Sequence, residues 1–172
     1  MKVTVEKRTL TEQELDILIE EVKKFFSPIV GYTDKWKKFE IVYVATNNNQ
    51  LMGMCGVEKV QNWLMLHPFV VLEKYQGKGI GSLLMENIIK DNRRKNIFIG
   101  SQNPTVAKIT KKYGFKTVRA IALPLIVKLY LFKFTLDSVN IRFIKALIEK
   151  RSLPRGKFKF FIKTKKPNAK MH

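Results

Sequence analysis

The stretch Gln76-Gly77-Lys78-Gly79-Ile80-Gly81 lies between an apolar run, WLMLHPFVV, and a segment with helical spacing, SLLMENII. Glycine in such a seam costs backbone entropy. It is kept where φ must be positive or where the backbone comes close to another group. The pattern therefore demands a strand, a tight loop and a helix N-terminus, in that order. The first amides of that helix have no helical acceptor and its dipole favours negative charge, so the seam suits a phosphate. A closely packed turn is the plainer alternative. Two standard phosphate loops are excluded by spacing. No Ser or Thr follows Lys78 as GxxxxGK[ST] requires, and Gly77, Gly79 and Gly81 give GxGxG, not GxGxxG.

Around this seam the periodicity predicts alternating elements. KVTVEK reads as a first strand. Thr11 and Glu14 have capping-box spacing, Leu10 and Leu15 suit a hydrophobic staple, and the apolar positions from Leu15 to Phe26 follow a helical period. A short helical piece is expected over 33–38. EIVYVAT and LMGMCGVEKV predict two strands joined by a turn, and WLMLHPFVVLE a long buried one. Pro68 within that run requires an edge, a bulge or a splay. A helix over 82–92, a strand NIFIGS and a helix from Pro104 to Gly114 follow, then two strands, FKTVRAI and LIVKLYLFKF. The expected class is α/β (α+β), with a mixed, mainly antiparallel sheet.

At 172 residues, 45% of them hydrophobic, the chain can hold one domain with a full core. The single cysteine, Cys55, cannot form an internal disulfide, and reads as a small buried strand residue. MKVTVEKRTL has no signal-like apolar region, and AIALPLIVKLYLF is broken by Pro124 and Lys128 and too short to span a bilayer. A soluble, cytoplasmic protein is expected. Charge is the strongest global feature: 33 Lys and Arg against 14 Asp and Glu, a formal +19. It is concentrated over 141–172, where Glu149 is the only acid among eleven basic residues. The balance favours anionic partners and argues against a polyamine-like substrate.

VVLEKYQGKGIGSLLM resembles the acyl-CoA motif of the GNAT (Gcn5-related N-acetyltransferase) superfamily, and NPTVAKITKKYGF resembles that family's next block. The order of elements is similar from about Lys2 to Phe134. The resemblance implies a GNAT fold over 1–134 with a splayed strand at the acyl-CoA site. It leaves 135–172 as a basic helix-strand extension packed on or beside that domain. It implies acetyl-CoA as co-substrate, with no metal. Gln76, Gly77, Lys78, Gly79, Ile80, Gly81 and Ser82 would cradle the pyrophosphate. Phe69, Val70 and Val71 would pair with the pantetheine, which Asn103 would also contact. The Val71 amide would face the thioester oxygen as charge develops on it.

The chain departs from the family pattern twice. Where the family commonly has a tyrosine acid, seven residues after the asparagine, this chain has Thr110; Tyr113 is the substitute candidate. Where some members carry a glutamate base, it has Met65. A primary amine is almost fully protonated at neutral pH, so something must take its proton before attack. His67 is the candidate histidine, Glu58 and Glu40 are alternatives, and water alone is a third route.

The extension ends in GKFKFFIKTKK, after an amphipathic helical pattern over 135–151. KFKFFIK suits an edge strand blunted by Lys157 and Lys159, or, with Arg151, Arg155, Lys163, Lys165 and Lys166, a stripe for single-stranded nucleic acid. The resulting expectation is an N-acetyltransferase acting on an amine of an anionic or anion-associated acceptor. Its rivals are a CoA-binding module without turnover and a nucleic-acid-binding or nucleic-acid-modifying protein on the same fold.

Overall fold

A computed structural model describes residues 2–24, Trp36, Phe39, 41–138 and 158–165. The chain runs β1 (Thr4–Arg8), α1 (Glu12–Lys23), β2 (Ile41–Asn47), β3 (Gln50–Val60) and β4 (Trp63–Val71). After the glycine loop come α2 (Ile80–Asp91), β5 (Asn96–Ser101), α3 (Pro104–Lys112), β6 (Lys116–Val118), α4 (Leu125–Ser138) and β7 (Lys159–Lys163). Seven strands form one sheet in the order β1-β2-β3-β4-β5-β7-β6. Among the described residues only β4 and β5 pair in parallel; the other neighbouring pairs are antiparallel. The mixed, mainly antiparallel α/β class expected from the sequence is the one observed.

Helix α1 begins as its sequence predicts. The Glu14 amide donates to Thr11 Oγ1 at 3.2 Å, and the Thr11 amide to Glu14 Oε2 at 3.0 Å, which closes the capping box. Arg8 from β1 donates to both Glu14 carboxylate oxygens, at 2.7 and 2.5 Å. This hydrogen bond, ahead of the Thr11 contacts, holds the Glu14 carboxyl below its ordinary range. Thr11→Ala is expected to cost about 1 kcal/mol, or roughly 2–4 °C in Tm for a chain of this size, measured by thermal unfolding.

Strand β4 is where the sheet opens. Its ladder to β5 covers only Trp63↔Asn96, Leu64↔Ile97 and Met65↔Phe98. Beyond Met65 the two strands part, and β5 keeps pairing with β7 as far as Ser101. On its other side β4 stays paired with β3 up to Val71, with a register shift between Cys55 and Val57. His67 and Pro68 lie opposite Gly56 in that shift. A Cβ on Gly56 would sit 2.5 Å from the His67 carbonyl oxygen, so only glycine fits there. Pro68, which has no amide to give a ladder, is accommodated by the bulge and the splay together.

The two sheet faces bury different helices. Leu64, Leu66, Ile97 and Ile99 pack with α2 and α3. On the opposite face, Val42, Val44 and Met54 pack with α1, and Trp63, Met65 and Phe98 with α4. Cys55 is fully buried in the first of these cores, and burial drives its thiol pKa well up.

Three expectations are corrected. LIVKLYLFKF is the helix α4, not a strand. Its apolar residues fall on more than one side, so periodicity cannot separate a helix from a buried strand. The overlooked signal is Pro124, whose carbonyl accepts from the Val127 and Lys128 amides as the helix starts. FKTVRAI keeps strand geometry only over Lys116–Val118 and then turns into a 3-10 segment, Ala120–Ala122. KFKFFIK is not an edge strand, because β7 lies inside the sheet between β5 and β6. Phe161 is buried with α2 and α3, while Phe160 and Ile162 pack on the α4 face. Phe160 and Phe161 are thus engaged in core packing, while Phe158 stays 48% exposed. Apart from Trp36, the helical piece over 33–38 lies outside the described residues. So do most of the helical pattern over 135–151 and Arg151, Arg155, Lys157 and Lys166.

Candidate active site

The glycine loop carries β4 into α2 through a 3-10 turn, Glu73–Tyr75. Gly77 and Gly79 have φ of 75° and 81°, and an added Cβ at either would meet nothing within 4 Å. Conformation, not crowding, demands glycine at both. Gly81 is the reverse case. Its Cβ would stand 2.9 Å from Ile109 Cδ1 and 3.4 Å from Phe69, so glycine there lets α2 close onto α3 and β4. Gly79 is the N-cap of α2 and supplies no side-chain cap; the first helical bond is Leu83 N–H to its carbonyl at 3.0 Å. The amides of Ile80, Gly81 and Ser82 thus have no acceptor within the helix. Lys78 Nζ lies 5.4 Å from the Tyr75 ring centroid. Gln76 points back instead, its Nε2 donating to the Val71 carbonyl at 3.2 Å and bracing the loop against the end of β4.

The ladder parity sets which way β4 faces the gap. The Leu72 amide donates to the Met52 carbonyl at 3.0 Å. Hydrogen bonding alternates along an antiparallel pair, so Val70 bonds to β3 while the backbone groups of Phe69 and Val71 turn away from it. They turn toward the side that β5 has left. Across the gap, Asn103 caps α3: its Oδ1 accepts from the Thr105 amide at 2.8 Å, and its own amide donates to Ser101 Oγ at 3.0 Å. That fixes Asn103 at the C-terminal end of β5.

Thr110, at the family's acid position, is fully buried and donates to the Ala107 carbonyl at 3.0 Å. Its hydroxyl serves the helix. Tyr113 donates to the Ser82 carbonyl at 3.0 Å, with Glu86 Oε2 3.4 Å away. Burial first, and then the nearby Glu86 charge, raise its pKa above the ordinary phenol value.

His67 lies on the opposite sheet face from Tyr113. Its Nε2 is 3.1 Å from Glu58 Oε2 and in short contact with the Tyr130 hydroxyl, which itself donates to Glu58 Oε2 at 2.9 Å. Phe39 and Phe134 pack edge-on against the imidazole, with centroids 5.3 and 5.2 Å away. The His67 hydrogen bond, ahead of the opposing burial, lowers the Glu58 pKa, and Tyr130 adds to the effect. Glu58 is therefore held as a carboxylate between two donors. The sequence reading named His67 and Glu58 separately, but missed Tyr130 and Phe134 because their helix was read as a strand. Glu40 lies outside the described residues, and among those described no cluster of metal-ligating side chains occurs.

The family model of the acetyltransferase (GNAT) domain matches residues 38–117, which spans β2 through β6. A GNAT family acetyltransferase from Staphylococcus aureus Mu50 superposes with a TM-score of 0.63 at 16% identity, over 95% of this chain and 100% of that one. One from Elizabethkingia anophelis, solved with acetyl-CoA bound, gives 0.62 at 17% identity, over 94% and 97%. The ribosomal-protein-S18-alanine N-acetyltransferase of Escherichia coli gives 0.59 at 13% identity, over 92% and 91%. No curated protein matches the sequence itself. The domain match over 38–117, which includes the glycine loop, together with a sheet that opens between β4 and β5, gives the chain the fold of the GNAT acetyltransferases.

Proposed function

We propose that the chain is an acetyl-CoA-dependent N-acetyltransferase. The observation that carries this reading is the open seam after Met65, where the Phe69 and Val71 backbones face a gap that ends at the uncapped start of α2. The amides of Ile80, Gly81 and Ser82 receive the pyrophosphate, with Lys78 at the rim. The Phe69 and Val71 backbone groups pair with the pantetheine, and Asn103 holds it from the β5 side. As the amine nitrogen bonds to the thioester carbon, the Val71 amide stabilises charge growing on the carbonyl oxygen. The carbon–sulfur bond then breaks and the thiolate takes up a proton.

The acceptor approaches from the α4 face. His67 takes the proton of the incoming ammonium, and Glu58 stabilises the imidazolium that forms, as a carboxylate does for a histidine base. Tyr113, on the CoA side, is placed to protonate the sulfur only if it leaves the Ser82 carbonyl. The formal +19 favours an anionic or anion-associated amine acceptor.

One observation supports a second reading, a CoA-binding protein without turnover: Thr110 is buried and its hydroxyl is already used. Thermal unfolding with acetyl-CoA and with CoA, followed by thiol release across a panel of amines, separates the two. Ligand at about 100 times Kd adds about 2.7 kcal/mol, which is roughly 5–10 °C here. A shift with amine-dependent thiol release is the expected result. A shift with no release from any amine favours the second reading, and no shift overturns both.

A further inference from the structure

Helix α4 is apolar on two sides. Its inner side, led by Val127, closes over Trp63, Met65 and Phe98. On its outer side Leu125, Leu129, Phe132 and Leu136 are 56–71% exposed, and Ile121 just before the helix is 83% exposed. Spacings of four, three and four residues put the helical four on one stripe, about 17 Å long. Lys128 and Lys133 are exposed on the same side, and Lys128 Nζ donates to the Ile121 carbonyl at 2.7 Å. Five large apolar side chains lined up in water are unusual for a globular surface and mark a contact site.

We propose that this stripe docks the protein on an anionic membrane surface. Charge selects that occupant. A second copy of the chain carries the same net +19 and is repelled on approach, whereas an anionic bilayer attracts that charge. The side chains suit it as well: leucines and a phenylalanine enter the acyl boundary, while the lysine stems lie along it with their ammonium groups at the headgroups. The helix is already folded by its inner side, so docking adds no cost of forming it. Among the described residues no helix is long and apolar enough to cross a membrane, so attachment through α4 is peripheral. Tyr130 on this helix reaches His67. A docked molecule would therefore hold the α4 face of the site within about one helix diameter of the lipid, some 10 Å. The docking inference does not depend on the proposed reaction.

Co-sedimentation of the full chain with vesicles tests it. The wild type is expected to pellet with an equal mixture of phosphatidylglycerol and phosphatidylcholine, to stay in solution with phosphatidylcholine alone, and to bind less as salt is raised. Phe132→Ser with Leu136→Ser should lower the partition coefficient by about tenfold or more, at unchanged circular dichroism because both side chains are exposed. Leu125→Ser with Leu129→Ser, at the other end of the stripe, should act alike. Failure of the wild type to pellet with the mixed vesicles overturns the proposal. So does equal binding by wild type and both double variants, which would mean that charge alone attracts the chain. A lipid-free dimer that both variants abolish also overturns it, in favour of a second copy on the stripe.

Discussion

Gly79→Glu is expected to remove acetyl-CoA binding and to leave a folded chain. Two effects act together at this position. Gly79 holds φ at 81°, where an L-residue costs about 1–2 kcal/mol, so the variant should melt roughly 2–8 °C lower. Its Cβ meets no neighbour within 4 Å, so the core is not disturbed and the fold survives. The second effect is electrostatic. A carboxylate placed about 5 Å from a phosphate charge, at an effective dielectric near 20, opposes binding by about 3 kcal/mol per unit charge, or roughly 200-fold. Calorimetric titration of acetyl-CoA should find no saturable binding at concentrations that fill the wild type. Gly79→Asn separates the causes, because asparagine tolerates the left-handed region and brings no charge. It should keep most of the affinity. If Gly79→Glu binds as tightly as the wild type, the pyrophosphate does not sit at this helix start.

The glycine loop was legible because backbone conformation is written directly in residue type. Gly77 and Gly79 take the positive φ that three closely spaced glycines imply, and the Thr11–Glu14 box closes as its spacing predicts. Pro68 announced a break in a long apolar strand, and the structure supplies both a bulge and a splay at that place. What the sequence hid depends on partners far along the chain. Lys157 to Phe160 alternate lysine with phenylalanine like an exposed edge, yet β7 is inserted between β5 and β6 and packs against helices on both faces. No local pattern encodes which strands will flank a segment. Tyr130 was hidden for a related reason. An apolar run with aromatic and β-branched residues satisfies strand and buried-helix templates alike, and only the helical reading brings that hydroxyl to His67. Thr110 shows the limit of carrying a role by position, since its hydroxyl is turned into its own helix.

His67→Gln is expected to lower kcat by roughly 10²–10⁴-fold, the usual worth of a positioned base, with the KM for acetyl-CoA unchanged. The split follows from the two faces of the sheet. The glycine loop joins α2 on one side, while His67, Glu58 and Tyr130 meet on the other. A histidine lodged among Phe39, Tyr130 and Phe134 could instead be a packing residue, and kinetics alone would not expose that. In the packing case the loss would fall on stability, and Tm would drop while kcat per folded molecule stayed level. Tyr130→Phe sharpens the distinction. It keeps the ring beside His67 and Phe134 but removes the hydroxyl that touches Nε2 and donates to Glu58. A positioning residue should then cost about 5–20-fold in kcat, close to one charge-assisted hydrogen bond of 1.5–3 kcal/mol at its lower end. That loss should shrink when His67 is already Gln, because a hydroxyl acting through the imidazole has nothing left to orient. Full additivity of the two losses would show that Tyr130 acts apart from His67. A third substitution, Glu58→Gln, should follow Tyr130→Phe in kind and exceed it in size, since the carboxylate offsets the imidazolium charge directly.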